Sequence, residues 1–480
     1  MISQQLELDI KREVLTHSYF EFFKYFFTLL HPGQAYVDNF HIKYLCDILQ
    51  EEAERMIRME EKTQDLLINI PPRTSKSLIF SVCLLPWMWI RKPELKFITI
   101  SFDAQLALLN SQLSRDIIGS QDYQDLFGSF FYVRPDIDSK GYFANNFGGY
   151  RLSRTTGQNV TGFSAHIEIV DDPDSAMSVY SENEREFVHK YYFEALYNRL
   201  TPPNYGIRCI VQQRLHEMDL TGAVLDRQPG EYKHICLPAE ISPRLYPPEL
   251  AEYYIDGLLD PNRLSLDILK KFKQTLGTNN YTGQYLQAPS PDEGGIFKKD
   301  WFDTVEPSTL DRDPVNHPIH FFLDTAYTEK TSNDPTAILT CYAKNNILYV
   351  LDVQEVWLEF PQLLEFLKKH VPKFQYSSNS KIFIEPKASG KSVAQQLRTS
   401  TMLNVIEMEP PKDSKVIRAN SITPICESKR VKLVNGVYIT KFKDQLLAFP
   451  NAAHDDQVDV LVYAVQRLLQ KSSNPDMIFI

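Results

Sequence analysis

The stretch LLINIPPRTSKSLIF at residues 66–80 has the layout of a phosphate-binding loop. An apolar run predicts a buried strand, a tight turn follows, and Lys76 and Ser77 precede a second apolar run that can form a helix. In such loops backbone N–H groups and a helix N-terminus surround phosphates, the lysine contacts the β- and γ-phosphates, and the hydroxyl binds Mg²⁺. The glycines of the usual pattern GxxxxGK[ST] are replaced here by Ile70 and Ser75. An ordinary strand–turn–helix is therefore the alternative interpretation.

The residues predicted to bind nucleotide form one continuous run: Pro72, Arg73, Thr74, Ser75, Lys76 and Ser77. Arg73 either touches the γ-phosphate or projects into solvent. Serine or threonine at a position that needs a positive φ costs on the order of 1–3 kcal/mol, which a well-packed site can carry. We expect the backbone of this loop to differ from the standard shape at Arg73 and Ser75.

A second segment, IEIVDDP at residues 167–173, strengthens the nucleotide interpretation. ATPases of this kind need an aspartate at the end of a neighbouring strand to hold Mg²⁺ and a second acid to orient the attacking water. Asp171 and Asp172 are predicted for these roles, although Asp172 is shorter than the usual glutamate and the hydrolytic carboxylate stays open. A helix-capping turn is the alternative. Arg151 and Arg154, in GGYRLSRTTGQNVTG, are candidates for an arginine donated to a neighbouring active site or for a DNA contact, with a solvated loop as the alternative.

A second group of acids lies in the C-terminal half, where carboxylates follow apolar strands and begin a helix. Asp324 ends FFLD, Glu385 ends KIFIE, and Asp455, Asp456 and Asp459 open the last helix with spacings that share one face. Oxygen ligands from two strand ends and a helix could hold two Mg²⁺ or Mn²⁺ ions for phosphodiester hydrolysis. Helix capping is the alternative for the last three acids.

Basic residues near these acids are weaker candidates. His454 either assists the leaving group or is structural. Contacts to DNA phosphates are predicted for Lys387, Lys391, Lys412, Lys415 and Arg418, each of which taken singly reads equally well as a plain surface charge.

The predicted elements divide the chain of 480 residues into three parts. Strands and helices alternate over 66–240, which predicts a parallel α/β sheet, preceded by one amphipathic helix within 13–30. Three consecutive strands from about 318, followed by α/β alternation, predict a ribonuclease H-like fold. We therefore expect an ATPase domain at 1–240, a connector or lid rich in proline and glycine at 241–312, and a nuclease domain at 313–480.

Composition excludes several other classes. The longest uncharged apolar run has 13 residues, which is too short to span a bilayer. No signal-peptide pattern and no CxxC pair occur, so we expect a cytoplasmic protein without disulfides or a zinc site. The net charge of −10 argues against a generally basic nucleic-acid-binding surface but leaves room for local basic grooves.

Together these motifs resemble the large terminase subunit of tailed bacteriophages and prophages. The resemblance covers nearly the whole chain in order, through PPRTSKS, GFSAHIEIVDDPD, VQQRLHEMDLTG, QYLQAPSPDEGGIFKKDWF, FFLDTA, FIEPKASG and HDDQVD. It implies an N-terminal P-loop ATPase of the ASCE type that uses ATP and Mg²⁺ to translocate double-stranded DNA into a procapsid. It also implies a C-terminal nuclease that cuts concatemeric DNA, a small terminase subunit and a portal protein as partners, a homo-oligomeric ring, and action in the host cytoplasm.

The resemblance also implies roles for particular residues. The loop lysine corresponds to Lys76, its Mg²⁺ hydroxyl to Ser77 and the strand acid to Asp171. The nuclease acids correspond to Asp324, Glu385 and the pair Asp455 and Asp456, with Asp459 as an additional ligand. The segment that couples hydrolysis to motion corresponds to Gln213, Arg214 and His216, and the adenine side to Phe40 or His41, for which packing against the first helix is the alternative.

Two other functions are compatible with parts of the pattern. A DNA-repair or restriction ATPase-nuclease would need a second ATPase domain, which the sequence lacks. A nucleotide-gated assembly factor that only binds DNA would not need to gather buried carboxylates in its C-terminal half.

Overall fold

The computed structural model describes residues 4–289, 295–326, 335–385, 388–411, 413–450 and 455–470, excluding the side chains of residue 4 and of residues 388–392. The chain divides into two compact units, Met1–Pro291 and Asp292–Ile480. The segment predicted as a connector, residues 241–312, is thereby divided between the two units.

The first unit is an α/β domain. Its strands are β1 (Asp65–Asn69), β2 (Lys96–Ser101), β3 (Val133–Ser139), β4 (Tyr142–Asn145), β5 (Tyr150–Thr155), β6 (Ile167–Asp171), β7 (Ile207–Gln212) and β8 (Tyr232–Cys236). Its α-helices are α1 (Gln4–His17), α2 (Tyr19–Leu30), α3 (Phe40–Ile57), α4 (Leu84–Arg91), α5 (Ala104–Gly119), α6 (Gln121–Phe127), α7 (Glu182–Lys190), α8 (Leu220–Arg227) and α9 (Leu266–Gln284). Short π- and 3₁₀-helices cover Leu78–Cys83, Tyr191–Leu196, Tyr197–Arg199 and Pro248–Tyr253.

The sheet of this unit has the order β3-β4-β5-β2-β6-β7-β1-β8. All neighbours from β5 to β8 in that order are parallel, whereas the pairs β3–β4 and β4–β5 are antiparallel. Strands β1, β6 and β7 are buried at every residue, as expected for central strands covered on both faces. Because β6, β7 and β1 are adjacent and parallel, the segments that follow them leave the same edge of the sheet.

The N-terminal region forms two helices where the sequence predicts one. Ser18 interrupts the run, and its hydroxyl accepts a hydrogen bond from Glu21 N at 3.2 Å, so that α2 begins with its own N-cap. The aromatic residues of α2 other than Tyr25 are buried, and Phe22, Phe23 and Phe26 enter the main core of the unit. The prediction that this stretch must pack on the domain is confirmed, but its continuity is wrong.

The segment that the sequence predicts as a connector contains helix α9. Gly277, with a φ of 77°, interrupts the helical backbone inside it, a conformation that glycine adopts without the steric cost of a Cβ atom. The aromatic rings of Phe272, Tyr281 and Tyr285 stack on one another near its C-terminal half.

The second unit contains a seven-stranded mixed sheet. Its strands are β9 (Asp303–Val305), β10 (His320–Asp324), β11 (Thr336–Lys344), β12 (Ile347–Val356), β13 (Lys381–Ile384), β14 (Val405–Glu407) and β15 (Val431–Val434). Its α-helices are α10 (Phe360–His370), α11 (Ala388–Ser400), α12 (Lys415–Glu427), α13 (Ile439–Ala448) and α14 (Asp456–Leu468). Short 3₁₀-helices cover Lys299–Trp301, Pro307–Thr309 and Val371–Phe374.

The strand order of this sheet is β14-β13-β10-β11-β12-β15-β9. The three consecutive strands β10, β11 and β12 are antiparallel, and parallel neighbours extend the sheet on both sides. This arrangement confirms the predicted ribonuclease H-like α/β fold, as the parallel sheet of the first unit confirms the other half of the fold prediction. Among the helices of the described residues, none has the length and apolar character needed to cross a bilayer.

Candidate functional site

The predicted phosphate loop follows β1 and adopts a backbone that glycine would favour. Arg73 and Ser75 have φ values of 65° and 64°. Between them, the buried hydroxyl of Thr74 donates to the carbonyl of Pro71 at 2.7 Å. Both residues take the left-handed conformation despite their Cβ atoms, and a departure of this loop from the standard shape stays a prediction.

Lys76 links the loop to the end of β6. Its ammonium lies 2.8 and 2.7 Å from the two carboxylate oxygens of Asp172, and its side chain is 7% exposed. The backbone N–H of Gln213 donates to the same carboxylate at 3.0 Å. Three segments that are far apart in sequence, the loop and the ends of β6 and β7, therefore meet at one carboxylate.

Asp171 is the last residue of β6 and is buried beside the loop helix. Ser81 donates to its carboxylate at 2.7 Å. Burial and the neighbouring charge of Asp172 raise the pKa of Asp171 to about 6, against the opposing effects of Lys76 and of the Ser81 and Ser77 hydroxyls. Carboxylate and hydroxyl oxygens are ligands that suit Mg²⁺, so the donor set of Asp171 and Ser77 fits the predicted ion. Ser81 was not predicted, although it lies four residues after Ser77 and hence on the same helix face.

Arg151 lies in the interior of the first unit, behind Asp171. Its guanidinium is 1% exposed and donates to the Ser81 carbonyl, to Ser114 Oγ at 2.8 Å and to Ser153 Oγ at 3.0 Å. Burial lowers its pKa to about 9, while the charge of Asp171 raises it. The prediction that Arg151 contacts DNA or a neighbouring active site is wrong, because the side chain is enclosed by the core. Arg154 is partly exposed and donates to the carbonyls of Gly141 and Ser153.

The predicted coupling segment forms a tight turn between β7 and α8. Arg214 donates from Nε to both oxygens of Asp219 at 3.0 Å, which also caps α8. His216 accepts from Met218 N at 3.0 Å, and its ring meets Tyr180 edge-on. Arg214 is therefore built into the turn that follows the strand.

Asp174 is a buried acid at this turn that the sequence analysis did not single out. Its carboxylate accepts from Leu220 N at 3.1 Å, at the start of α8. Burial, and to a smaller extent the charge of Asp219, raise its pKa to about 7. The signal that could have revealed it is its position as the third acid of DDPD, immediately after the predicted site residues.

Phe40 and His41, predicted on the adenine side, have different surroundings. His41 is fully buried, and its Nε2 lies 3.2 Å from the carbonyl oxygen of Thr74 in the loop. Phe40 is partly exposed and stacks on Tyr253 with 5.6 Å between ring centroids. His41 thus faces the loop backbone and presents no ring face to a base.

Arg73 points away from its own loop. The side chain is exposed, and its guanidinium lies 5.4 Å from the ring centroid of Phe272 in α9. Its charge also lowers the pKa of Tyr285, against the larger effect of burial. The sequence left open whether Arg73 contacts the γ-phosphate or projects outward. In the structure it projects outward and packs against Phe272 of α9.

The second group of predicted acids converges in the second unit. Asp324 and Glu385 are buried and end the adjacent parallel strands β10 and β13, with Leu323 paired to Ile384 and Glu385 N donating to the Leu323 carbonyl at 3.1 Å. The phenol of Tyr463 in α14 lies close enough to both acids for their charges to affect its pKa. Burial raises this pKa most, the charges of Glu385, Asp459 and Asp324 also raise it, and the charge of Arg418 lowers it. Two strand ends and the last helix therefore face a common point.

Asp459 and Asp455 are held by basic residues of α12. Asp459 pairs with Lys415 at 2.8 Å and with Arg418 at 2.7 Å, and Lys415 also lies 2.5 Å from Asp455. Burial lowers the pKa of Lys415, but these two carboxylates raise it by more. Arg418 is buried, so its predicted contact with DNA is wrong, and Lys415 is engaged with acids.

The predicted metal cluster is not assembled as a ligand cage. Among the described residues, no group of three or more histidine, cysteine, aspartate or glutamate side chains could hold a metal ion. Asp324, Glu385 and Asp456 are all buried oxygen donors, a set whose chemistry fits Mg²⁺ or Mn²⁺. His454, Lys387 and Lys412 lie outside the described residues, as does the side chain of Lys391.

Comparison with known proteins identifies one matching family. Residues 322–468 match the family model described as terminase RNaseH-like domain, which confirms the predicted resemblance to terminases. No curated protein matches the sequence. Among solved structures, the chain is similar to the large terminase of a thermophilic bacteriophage in complex with ADP, with 13% identity, coverage of 88% of this chain and 100% of that one, and a TM-score of 0.47.

Two further solved structures are also similar to this chain. A second crystal form of the same phage's large terminase has 13% identity, covers 88% of this chain and 98% of its own, and has a TM-score of 0.49. The large terminase nuclease of the thermophilic phage G20c with bound zinc has 16% identity, covers 35% of this chain and 95% of its own, and has a TM-score of 0.27.

Proposed function

From the match of residues 322–468 to the terminase RNaseH-like domain, we propose that the chain is the large subunit of a viral DNA-packaging terminase. It hydrolyses ATP to drive double-stranded DNA into a procapsid and cuts concatemeric DNA with a metal-dependent endonuclease. The observation that carries the proposal is that one chain joins a terminase nuclease domain to a glycine-free phosphate loop whose lysine meets an acid at the end of a neighbouring strand.

The contacts of the first unit support an ATPase cycle based on exchange of charge partners. A bound triphosphate competes with Asp172 for the ammonium of Lys76, since both present anionic oxygens to one buried cation. Asp172, released from Lys76, keeps one oxygen fixed by the N–H of Gln213 and offers the other to the attacking water. Ser77 and Asp171 would hold Mg²⁺, which supplies charge neutralisation at the β- and γ-phosphates.

The second unit supports hydrolysis of a phosphodiester. Asp324, Glu385 and Asp456 would hold the divalent ions, which stabilise the attacking and leaving oxygens when bound. Lys415 and Arg418 neutralise Asp459 and hold α12 against α14. Asp455 and Asp459 are therefore paired with α12, and a divalent ion would have to compete with Lys415 for them.

The proposed partners are those that the resemblance to large terminases implies. We propose double-stranded DNA as the substrate, a small terminase subunit and a portal protein as partners, a ring of several copies during packaging, and action in the host cytoplasm. A net charge of −10 supports a motor that releases DNA in every cycle better than a static DNA-binding protein.

One experiment tests both halves of the proposal. ATP hydrolysis and plasmid cleavage with Mg²⁺ or Mn²⁺ are measured on wild type, Lys76→Ala and Asp324→Ala. We expect Lys76→Ala to abolish ATP hydrolysis and retain cleavage, and Asp324→Ala to do the reverse. Lys62→Ala is the matched control, because Lys62 is also a largely buried lysine paired with an acid, Asp65, but at the opposite edge of the same sheet.

The outcomes separate the two assignments. Normal ATP hydrolysis by Lys76→Ala would contradict the role of the loop, and DNA cleavage by Asp324→Ala would contradict the role of the strand acids. Loss of both activities in Lys62→Ala as well would show that the assays report folding instead of chemistry.

A further inference from the structure

The phosphate loop of this chain carries strain that a glycine-containing loop avoids. Arg73 and Ser75 both have positive φ, and each non-glycine residue in this region must overcome repulsion between its Cβ atom and the backbone. Such conformations persist only where surrounding contacts hold them in place. The structure must therefore contain a contact that fixes the peptide units between these two residues.

His41 makes that contact. It lies in the first turn of α3, is completely buried, and its Nε2 donates to the carbonyl oxygen of Thr74 at 3.2 Å. Thr74 is the residue between Arg73 and Ser75. Its own hydroxyl donates to the Pro71 carbonyl at 2.7 Å, so the middle of the strained turn is held from two directions.

The other ring nitrogen of His41 faces the N-cap of α3. Nδ1 lies 2.7 Å from Oδ1 of Asn39, the N-cap of α3, which also accepts from His41 N at 3.3 Å. The amide of Asn39 donates to the Leu259 carbonyl at 3.0 Å. Burial lowers the pKa of His41 to about 4, so the ring is neutral in ordinary buffers and carries a single N–H. Because the Thr74 and Asn39 oxygens are both acceptors, the hydrogen bond to the loop requires the tautomer that has its proton on Nε2 and none on Nδ1.

We propose that His41 is a positioning residue for the phosphate loop: by holding the Thr74 carbonyl it maintains the left-handed backbone at Arg73 and Ser75 that aims the loop N–H groups at phosphate. This inference rests on the proposed ATPase function and replaces the expected contact with the base. It explains how the loop dispenses with glycine, because the hydrogen bond from α3 offsets the conformational preference that glycine would otherwise supply.

The proposal predicts a rescue that ordinary destabilisation would not produce. A glycine at position 75 adopts positive φ without the Cβ penalty, so the loop should then no longer need His41. We expect His41→Phe, which keeps a ring in the buried site but removes the donor, to raise the Kd for Mg·ATPγS about tenfold. The double variant His41→Phe/Ser75→Gly should bind within about threefold of Ser75→Gly alone, which is its reference.

The full-length protein is titrated with Mg·ATPγS by calorimetry, and thermal denaturation is recorded for each variant. His41→Gln keeps a donor near the position of Nε2 and should retain most of the affinity. His166→Phe is the matched control, because His166 accepts from Lys96 N at the opposite edge of the sheet, so it should change the denaturation temperature without changing the Kd. Backbone amide hydrogen exchange over residues 70–80, measured without nucleotide, should be faster in His41→Phe than in wild type. In the double variant the exchange rate should fall back toward the wild-type value.

The results distinguish this inference from the proposed function. Absence of nucleotide binding by wild type would overturn the ATPase assignment itself. Binding by wild type with an unchanged Kd in His41→Phe would overturn the role of His41 alone. A tenfold loss that Ser75→Gly does not rescue would also overturn it, because His41 would then act through packing and not through the loop backbone.

Discussion

Replacing Asp172 with asparagine should change nucleotide binding and hydrolysis in opposite directions. In the structure the Asp172 carboxylate engages the ammonium of Lys76 at 2.7 and 2.8 Å. A triphosphate needs the same ammonium, so part of its binding free energy is spent on separating this ion pair. Asp172→Asn removes the charge that competes with phosphate, but it also removes the carboxylate proposed to orient water.

The size of the effect follows from the position of the pair. At this distance and an effective dielectric constant of about 20, the attraction is about 6 kcal/mol before desolvation. The side chains are 7% and 21% exposed, so desolvation and residual solvent screening offset most of it. We expect a net gain of about 1 to 2 kcal/mol in nucleotide binding, which is a Kd about 5 to 30 times lower.

The variant should also shift the pH range of Mg²⁺-dependent binding. Burial first, and the charge of Asp172 second, raise the pKa of Asp171 to about 6. Asp171 therefore loses its charge, and with it the proposed ability to hold Mg²⁺, as pH falls through about 6. Without the charge of Asp172 that pKa falls, and we expect binding of Mg·ATPγS to persist to lower pH in Asp172→Asn than in wild type.

Calorimetric titration with Mg·ATPγS between pH 5 and 8, together with steady-state ATP hydrolysis, measures both effects. Gln213 N can still donate to the side-chain oxygen of asparagine, so the turn after β7 should keep its geometry. Lys76→Ala is the reciprocal variant and should weaken binding. Weaker binding by Asp172→Asn, or hydrolysis at the wild-type rate, would refute the exchange of charge partners at Lys76.

Three further predictions concern buried charges. Asp459→Asn leaves Lys415 and Arg418 without their shared anion and should lower the free energy of unfolding by about 3 kcal/mol, measured as a lower temperature of thermal denaturation. The control Asp303→Asn loses only an exposed ion pair with Lys429 and should change that temperature little. Arg151→Met should lower stability but leave DNA affinity at fixed salt unchanged, and weaker DNA binding by a folded variant would contradict the interior position of Arg151. Because burial raises the pKa of Asp174 to about 7, the folded chain keeps a proton that the unfolded chain releases between about pH 4 and 7, so stability should fall as pH rises through that window. Denaturant unfolding at several pH values should show this slope in wild type, and Asp174→Asn should show a smaller one, because the raised pKa values of Asp171 and Glu168 contribute to it as well.

Sequence reasoning succeeded where backbone topology alone brings residues together. The carboxyl ends of parallel strands emerge at one edge of a sheet, so an acid at each strand end predicts convergence without any knowledge of side-chain packing. Asp324 and Glu385 meet for this reason at the ends of β10 and β13. The loop after β1 and Asp172 after β6 meet through the intervening strand β7 in the same way.

The same reasoning failed for long basic side chains, because their contacts depend on how helices and strands pack against one another and not on strand ends alone. Arg151 belongs to YRLSRT, which forms strand β5 beside β2 and is neither a solvated loop nor a surface for DNA or a neighbouring active site. Arginine is rarely buried, so the sequence offers no sign that this guanidinium fills the interior behind Asp171. Arg418 was assigned to DNA for a similar reason, although its anion, Asp459, lies 41 residues later in the sequence and is reached only when α12 packs on α14.

Both acid groups are held together by lysines of the chain itself. Carboxylates gathered in a buried place repel one another and lose hydration, so each group carries a nearby cation that offsets this cost. Lys76 does so for Asp172, and Lys415 does so for Asp455 and Asp459. Ligands would then enter each unit by replacing a charge partner: phosphate draws Lys76 away from its acid, and a divalent cation competes with Lys415 for the carboxylates. Neutralising the acid should therefore favour phosphate at the first unit, whereas neutralising the lysine should favour metal at the second.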